Sequence, residues 1–155
     1  MDSRDVHLRT CKKNSIHHEK HEALRFWFKD FVKQAHIKTA AAPSISKQLA
    51  GDLMLEDVSL RQAERDGKCG VIDFSIITPA AESYCAAAAK QPLHAAKIRE
   101  ESKILKYFQA YKNMDDIHFE PFVVESGGQL GVRAQEVFKK ICNLITQTTG
   151  KVDLL

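Results

Sequence analysis

One acidic residue stands in the middle of the most hydrophobic segment of the chain. Asp73 interrupts the apolar run 70–77, which a Thr-Pro pair closes. Aspartate is depleted in strands, and a buried carboxylate is costly unless another group pairs with it. Because side chains alternate along a strand, Asp73 shares a face with Val71 and Ser75. The pattern predicts a half-open polar face at a sheet edge, where Asp73 is either a metal ligand or catalytic carboxylate, or a structural partner of a lysine.

A second carboxylate opens another short apolar run. Asp52 follows Gly51 and begins the segment 52–55. An aspartate after a glycine at the start of a strand is common turn chemistry. Two carboxylates on adjacent strands can also hold Mg²⁺ or Mn²⁺, which take oxygen ligands and suit phosphate chemistry. The pair therefore predicts either a turn residue or, together with Asp73, a metal site.

Two lysines and a tyrosine lie on the second long predicted helix. Lys103 and Tyr107 are one turn apart. On a helical wheel whose buried stripe contains Leu105 and Phe108, Lys106 lies nearly opposite that stripe and Lys103 well to one side. Periodicity thus predicts that both lysines are solvated. The alternative is a lysine beside a metal, where it orients the attacking water and offsets phosphate charge.

The N-terminal segment contains residue types that bind metals. They are His7, Cys11, His17, His18 and His21. Structural zinc needs four ligands, commonly in paired short spacings, and only His7 and Cys11 resemble half of one, so Zn²⁺ has weak support. Glu19 and Glu22 begin the first predicted helix, where acidic residues interact favourably with the helix dipole. Their role is structural unless the fold directs one of them at Asp73.

Hydrophobic periodicity gives the elements that position these residues. The predicted order is a helix over 18–37, strands over 52–55 and 70–77, a short helix or ordered loop over 80–92, a helix over 93–112, a strand over 119–125 and a helix over 132–148. Trp27 lies on the apolar face of the first helix and is predicted to be core. This order predicts an α/β fold, a mixed β-sheet flanked by helices.

Composition and sequence pattern argue against membrane-spanning, secreted and collagen-like proteins. The 155 residues are 44% hydrophobic, which is ordinary for a globular domain. No apolar run approaches the roughly 18 residues of a membrane span, and the N-terminus is unlike a secretory signal. Four widely spaced cysteines indicate a reducing, intracellular compartment. The net charge is only +3, but residues 1–38 hold nine Lys and Arg against five acidic residues. So mild a net charge does not by itself predict a nucleic-acid binder, but its uneven distribution identifies the basic N-terminal segment as the part that would contact DNA or RNA phosphates in such a protein.

Taken in order, six short motifs resemble a known family. They are His7-Leu-x-x-Cys11, His18-Glu-x-x-Glu-Ala-Leu24, Gly51-Asp-Leu-x-Leu55, Val71-Ile-Asp-Phe-Ser-Ile76, Lys103-x-x-Lys-Tyr107 and Phe119-x-Pro-Phe-Val-Val-Glu-Ser-Gly-Gly128. The ordered set resembles the restriction-enzyme-like endonuclease domain of non-LTR retrotransposon and reverse-transcriptase-like polyproteins. Each motif is weak alone, and the set spans nearly the whole chain.

The resemblance implies a fold and a chemistry. Such domains are similar to the PD-(D/E)xK nucleases, whose mixed sheet flanked by helices performs Mg²⁺-dependent phosphodiester hydrolysis. It implies that Asp52 and Asp73 bind the metal and act in catalysis, and that Lys103 or Lys106 acts there with Tyr107. Ser75 stands where many restriction enzymes carry their lysine, which in the retrotransposon type can come from the helix instead.

The resemblance also divides the chain. It implies a zinc-knuckle and linker remnant over 1–17, with His7 and Cys11 as partial zinc ligands, an endonuclease-like domain over 18–149 and a tail over 150–155. His18 and Glu19 match the Arg-His-Asp-like element of the first helix. The chain departs from the family in Gly51, where the family has proline, and in the absent opening cysteines of the knuckle. The expectation is a nuclear, metal-dependent DNA endonuclease; the alternative is an inactive nucleic-acid-binding relic or interaction domain of the same fold.

Overall fold

Four helices and six strands make up the described part of the chain. The computed structural model describes residues 15–42, 44–46, 49–56, 69–111, 114–115 and 117–149. The helices are α1 Ser15–Lys33, α2 Cys85–Ala88, α3 His94–Tyr111 and α4 Val132–Thr149. The strands are β1 Thr39–Ala40, β2 Ser44–Ser46, β3 Leu49–Ala50, β4 Leu53–Leu55, β5 Cys69–Ile77 and β6 Ile117–Glu125. Of these, β1 to β3 lie where the sequence pattern predicted no strand.

The sheet that carries the acidic residues has four strands in the order β1-β4-β5-β6. The β1–β4 and β4–β5 pairs are antiparallel, whereas β5 and β6 are parallel. A parallel pair needs a crossover connection, which α3 supplies. Strands β2 and β3 form a separate antiparallel pair. The predicted α/β class with a mixed sheet between helices is confirmed. Because β5 lies between β4 and β6, the prediction that Asp73 lies at a sheet edge is wrong.

One face of the sheet packs against α1 and α4. Its centre is a trio of buried rings, Phe28, Phe74 and Phe122, whose centroids lie 5.0 to 5.5 Å apart in edge-to-face contact. Ile72 of β5 belongs to the same core, whereas Val71 packs on the opposite face of the sheet. The predicted alternation of β5 side chains is therefore confirmed.

The opposite face of the sheet packs against α3. The α3 side chains that contact the sheet are not the apolar stripe that helical periodicity predicts. Leu105 is 76% exposed and Phe108 is 59% exposed, whereas Tyr107 and Tyr111 are buried. The prediction that Leu105 and Phe108 face the core is wrong. The reason is that this face of β5 carries Asp73, which requires hydrogen-bonding partners rather than an apolar cover.

Two further expectations about α1 need correction. The helix ends at Lys33 instead of near residue 37. Trp27, predicted to be core, is 48% exposed and stacks on Phe31 and Phe138 near the edge of the α1–α4 packing.

In the part of the chain that the structure describes, no helix is long and apolar enough to cross a membrane.

Candidate active site

The β4–β5 pair brings the two sequence-predicted aspartates together. Asp52 immediately precedes β4, and its backbone N–H donates to the carbonyl of Ile72 at 2.8 Å. Its side-chain Oδ2 accepts the backbone N–H of Phe74 at 2.6 Å. Asp52 is thus hydrogen-bonded to both chain neighbours of Asp73. Pairing of the strands, more than turn geometry, fixes Asp52 beside the central strand.

Asp73 lies beneath α3 and is 5% exposed, so the predicted half-open setting is wrong. Tyr107 donates its hydroxyl hydrogen to Asp73 Oδ1 at 2.9 Å. The ammonium group of Lys103 forms an ion pair with Asp73 Oδ2. Both carboxylate oxygens therefore face partners on one helix. The expectation from periodicity that Lys103 is solvated is also wrong, because the ion pair holds its side chain against the sheet.

A polar stripe along α3 matches the face of β5 that it covers. Its members are Arg99, Lys103, Tyr107 and Tyr111, each four residues from the last. Four helical residues rise about 6 Å, and two strand residues rise about 6.7 Å, so the two spacings stay in step. Arg99 Nε donates to Ser75 Oγ at 2.9 Å, one step along from the Asp73–Lys103 pair. Helix α3 thus supplies polar partners for Ser75 and Asp73, which are consecutive positions on the face of β5 that it covers.

His21 of α1 reaches the site, although sequence reasoning placed it only among possible metal-binding residues. Its Nε2 lies 3.2 Å from Asp52 Oδ2, and its ring packs edge-on against Phe74. The signal in the sequence is spacing: His21 precedes the buried Phe28 by two helical turns and so lies on the same side of α1. His21 fixes the Asp52 carboxylate from the face of the sheet opposite Lys103.

The electrostatics of the site favour a charged Asp52 and a neutral tyrosine. Burial raises the pKa of Asp52, but hydrogen bonds from His21 and the Phe74 amide, with the nearby charges of His21 and Lys103, outweigh it and hold the pKa below its usual value. The hydrogen bond to Asp52 raises the pKa of His21 above its usual value, against the opposite effect of burial. Burial and the adjacent Asp73 raise the pKa of Tyr107, so its hydroxyl stays a hydrogen-bond donor.

The remaining predicted site residues lie elsewhere or contribute indirectly. Lys106 is exposed, as predicted, with its ammonium 5.2 Å from the centre of the Tyr107 ring. His18 and Glu19 are exposed. Glu22 bonds to Arg25 at 2.5 Å and lies 3.6 Å from the His21 ring, which makes it a neighbour of the site's histidine. The predicted zinc ligands His7 and Cys11 lie outside the described residues.

The carboxylates of the site are the type of ligand that a magnesium-type ion takes. Asp73 Oδ2 is buried, and its partner within the described residues is the Lys103 ammonium. No group of three or more His, Cys, Asp or Glu side chains in the described ranges could hold a metal. Mg²⁺ does not require such a group, because one or two carboxylates with water and substrate phosphate oxygens satisfy it. Asp52 and Asp73 supply two carboxylates, one immediately before β4 and one on β5.

In comparisons with known proteins, no family model, curated protein or solved structure matches this chain. The arrangement of the described side chains therefore carries the functional argument.

Proposed function

We propose that this chain is a metal-dependent DNA endonuclease domain of the retrotransposon type, with a restriction-endonuclease-like fold, that hydrolyses phosphodiester bonds. The observation that carries the proposal is the meeting of three elements around one strand. Asp52 precedes β4, Asp73 lies on β5, and Lys103 on α3 forms an ion pair with Asp73. The element order α1-β4-β5-α3-β6 and the ordered sequence motifs support the same interpretation.

Each side chain has a role that its contacts support. Asp52 and Asp73 would hold Mg²⁺ or Mn²⁺, which supplies a water of lowered pKa and positive charge against the phosphate. Lys103 offsets the negative charge of the carboxylates and of the incoming phosphate and orients the attacking water. Tyr107 holds the Asp73 carboxylate through its hydroxyl group, and His21 holds that of Asp52. The last two are positioning residues.

Binding of nucleic acid would come chiefly from the basic N-terminal segment. Its described part, α1, carries Lys20, Arg25, Lys29 and Lys33. Contacts from such residues to phosphates are independent of base sequence and weaken as salt increases. The proposed partner is DNA, with RNA as the alternative, in the nucleus.

A second candidate function has an observation of its own. Asp73 is already matched by Lys103 and Tyr107, which is also the arrangement of a structural ion pair inside a protein. On this interpretation the chain is a nucleic-acid-binding relic, or an interaction domain, that keeps the fold and has no catalytic activity. The two candidates differ in what the carboxylates do when a divalent ion and DNA are both present.

Nicking of supercoiled plasmid, with and without Mg²⁺ or Mn²⁺, tests the proposal. We expect metal-dependent nicking by the wild type and a loss of roughly a hundredfold or more in Asp73→Asn and Asp52→Asn, as for removal of a group that stabilises developing charge. Glu101→Gln is the control, because Glu101 is an exposed acidic residue of α3 that lies outside the site. Circular dichroism verifies that each variant is folded.

The outcomes separate the candidates. Nicking that survives in both site variants overturns the proposal. A folded wild type that shifts DNA on a gel but never nicks it supports the binding relic, and a folded protein that does neither supports an interaction domain.

A further inference from the structure

A cavity of about 550 Å³ opens beside the candidate active site, between α3, β6 and the start of α4. This volume lies within the range of about 300–1,000 Å³ typical of small-molecule sites. The cavity lies apart from Asp52 and Asp73 and shares Tyr107 with them. None of the roles described above explains it.

One wall of the cavity is aromatic. The Phe119 ring stacks on Tyr107, with centroids 4.4 Å apart, and lies nearly parallel to Tyr111, at 5.7 Å and 9°. Phe108 also lines the cavity, with more than half of its surface exposed. Aligned rings with an accessible phenylalanine beside them favour a flat ligand that stacks.

The other wall carries both a negative and a positive side chain. The buried carboxylate of Glu120 accepts a hydrogen bond from Arg133 Nη1 at 3.3 Å, and 44% of the Arg133 side chain is exposed. His118 lines the cavity next to them. A planar guanidinium can stack on a heterocycle or donate to its edge, while a carboxylate accepts from amino groups. Neither a simple hydrocarbon nor a simple anion matches such a wall.

We propose that this cavity binds an unstacked nucleobase, that of a nucleotide next to the phosphodiester group that the proposed active site would hydrolyse. Tyr107 links the two places, because its hydroxyl contacts Asp73 while its ring lines the cavity. Aromatic faces, a guanidinium plane and hydrogen-bonding groups are the means by which proteins hold bases taken out of a stack. This inference rests on the proposed function and adds a nucleotide-recognition site to it.

Titration of the isotope-labelled full chain with deoxyadenosine monophosphate, followed by NMR without divalent ions, tests the inference. We expect saturable shifts at the amides of His118, Phe119 and Arg133, and none of comparable size with inorganic phosphate. Phe108→Ala should weaken binding about 5- to 150-fold, the loss of one base–aromatic stack. Leu105→Ala is the matched control, because Leu105 is an exposed apolar residue of the same helix outside the cavity.

Three results would overturn the inference: no shift at millimolar nucleotide, equal shifts with inorganic phosphate, or equal weakening by Phe108→Ala and Leu105→Ala. The titration uses no metal and involves no hydrolysis, so its result is independent of the nicking assay. Nicking without nucleotide binding would overturn only the cavity assignment. Nucleotide binding without nicking would overturn only the endonuclease activity.

Discussion

The buried carboxylate of Asp73 determines which residues of α3 face the sheet. A charged group away from water needs both a counter-ion and hydrogen bonds. Lys103 supplies the first and Tyr107 the second, from positions one helical turn apart. Leu105 and Phe108, on other faces of α3, are consequently exposed.

Removing the positive partner of this pair should destabilise the protein. We expect Lys103→Met to lower the free energy of unfolding by up to about 3–5 kcal/mol, because it leaves the Asp73 carboxylate buried without its counter-ion. Lys106→Met, at an exposed position of the same helix, should change it by less than about 0.5 kcal/mol. Urea denaturation of the three proteins measures both differences.

A double variant provides the control for this prediction. If the cost arises from an unpaired charge, adding Asp73→Asn to Lys103→Met should recover part of the lost stability. A double variant less stable than Lys103→Met alone, or equal losses in the two lysine variants, would contradict the explanation.

At the scale of elements, alternation and periodicity predicted the long strands and α4 closely. β5 and β6 are rich in apolar residues despite polar positions such as Asp73 and Glu120, and α4 contributes Val137, Ile141 and Leu144 to the core. The orientation of α3 could not be obtained in this way, because a hydrophobic count ignores the need of a buried carboxylate for partners. The short strands β1, β2 and β3 contain two or three residues each, too few for a periodic signal.

Only part of the candidate site could be predicted from the sequence, because a residue is noticed only when it conflicts with the pattern around it. Asp73 conflicts with its surroundings, so the sequence alone draws attention to it. His21 does not conflict with a helix, and its contact with Asp52 depends on how α1 packs across the sheet. Lys103 and Lys106 could be distinguished only once the face of α3 was known.

The first turns of α3 and α4 each donate a backbone hydrogen bond to a glutamate from another element. Glu125 accepts the backbone N–H of Ala96 in the first turn of α3, and Glu100 accepts that of Arg133 in the first turn of α4. Backbone N–H groups in a first turn lack partners within their helix, and the helix dipole favours a negative charge there. Gly131 allows the second contact, because a Cβ at that position would lie 2.2 Å from Glu100 Oε1.

Glu100 should make stability depend on pH. Burial raises its pKa above the usual 4.5 and outweighs the Arg133 and Ala134 amides and the Arg133 charge, while Glu136 adds to the increase. Because the folded state binds this proton more tightly than the unfolded state, the contribution of the group is fully present below about pH 4.5 and is lost as the pH rises through the folded pKa. The stability of the wild type relative to Glu100→Gln should therefore fall as the pH rises above about 4.5.

Chemical denaturation at a series of pH values checks this dependence. Glutamine keeps an oxygen that accepts the Arg133 amide but does not titrate, so the difference between the two proteins isolates the ionisation of Glu100. Glu101→Gln, at the exposed neighbouring position, should track the wild type. A difference that is constant, or that grows in favour of the wild type as the pH rises, would be inconsistent with a raised pKa.

At the scale of the whole molecule, the sheet separates the candidate site from the main core. Phe28 of α1, Phe74 of β5 and Phe122 of β6 meet on one face, while Asp73 and Lys103 meet on the other. Val137 and Ile141 bring α4 into the same core. The core around this aromatic trio therefore joins α1, α4, β5 and β6. His21 can reach Asp52 only when α1 is packed against the sheet.

Removing Phe28 should weaken the molecule as a whole. We expect Phe28→Ala to lower the free energy of unfolding by about 3–5 kcal/mol, the usual cost of deleting a fully buried phenylalanine, because the cavity left among Phe74 and Phe122 cannot close. Unfolding should remain one transition with an unchanged denaturant slope, since one core joins the first helix to the last. Phe26→Ala is the control: Phe26 is an exposed phenylalanine of the same helix, and its loss should cost less than about 0.5 kcal/mol. Guanidinium denaturation followed by circular dichroism and by Trp27 fluorescence measures both quantities. Separate transitions by the two probes, or equal losses in the two variants, would mean that α1 is not part of one cooperative core.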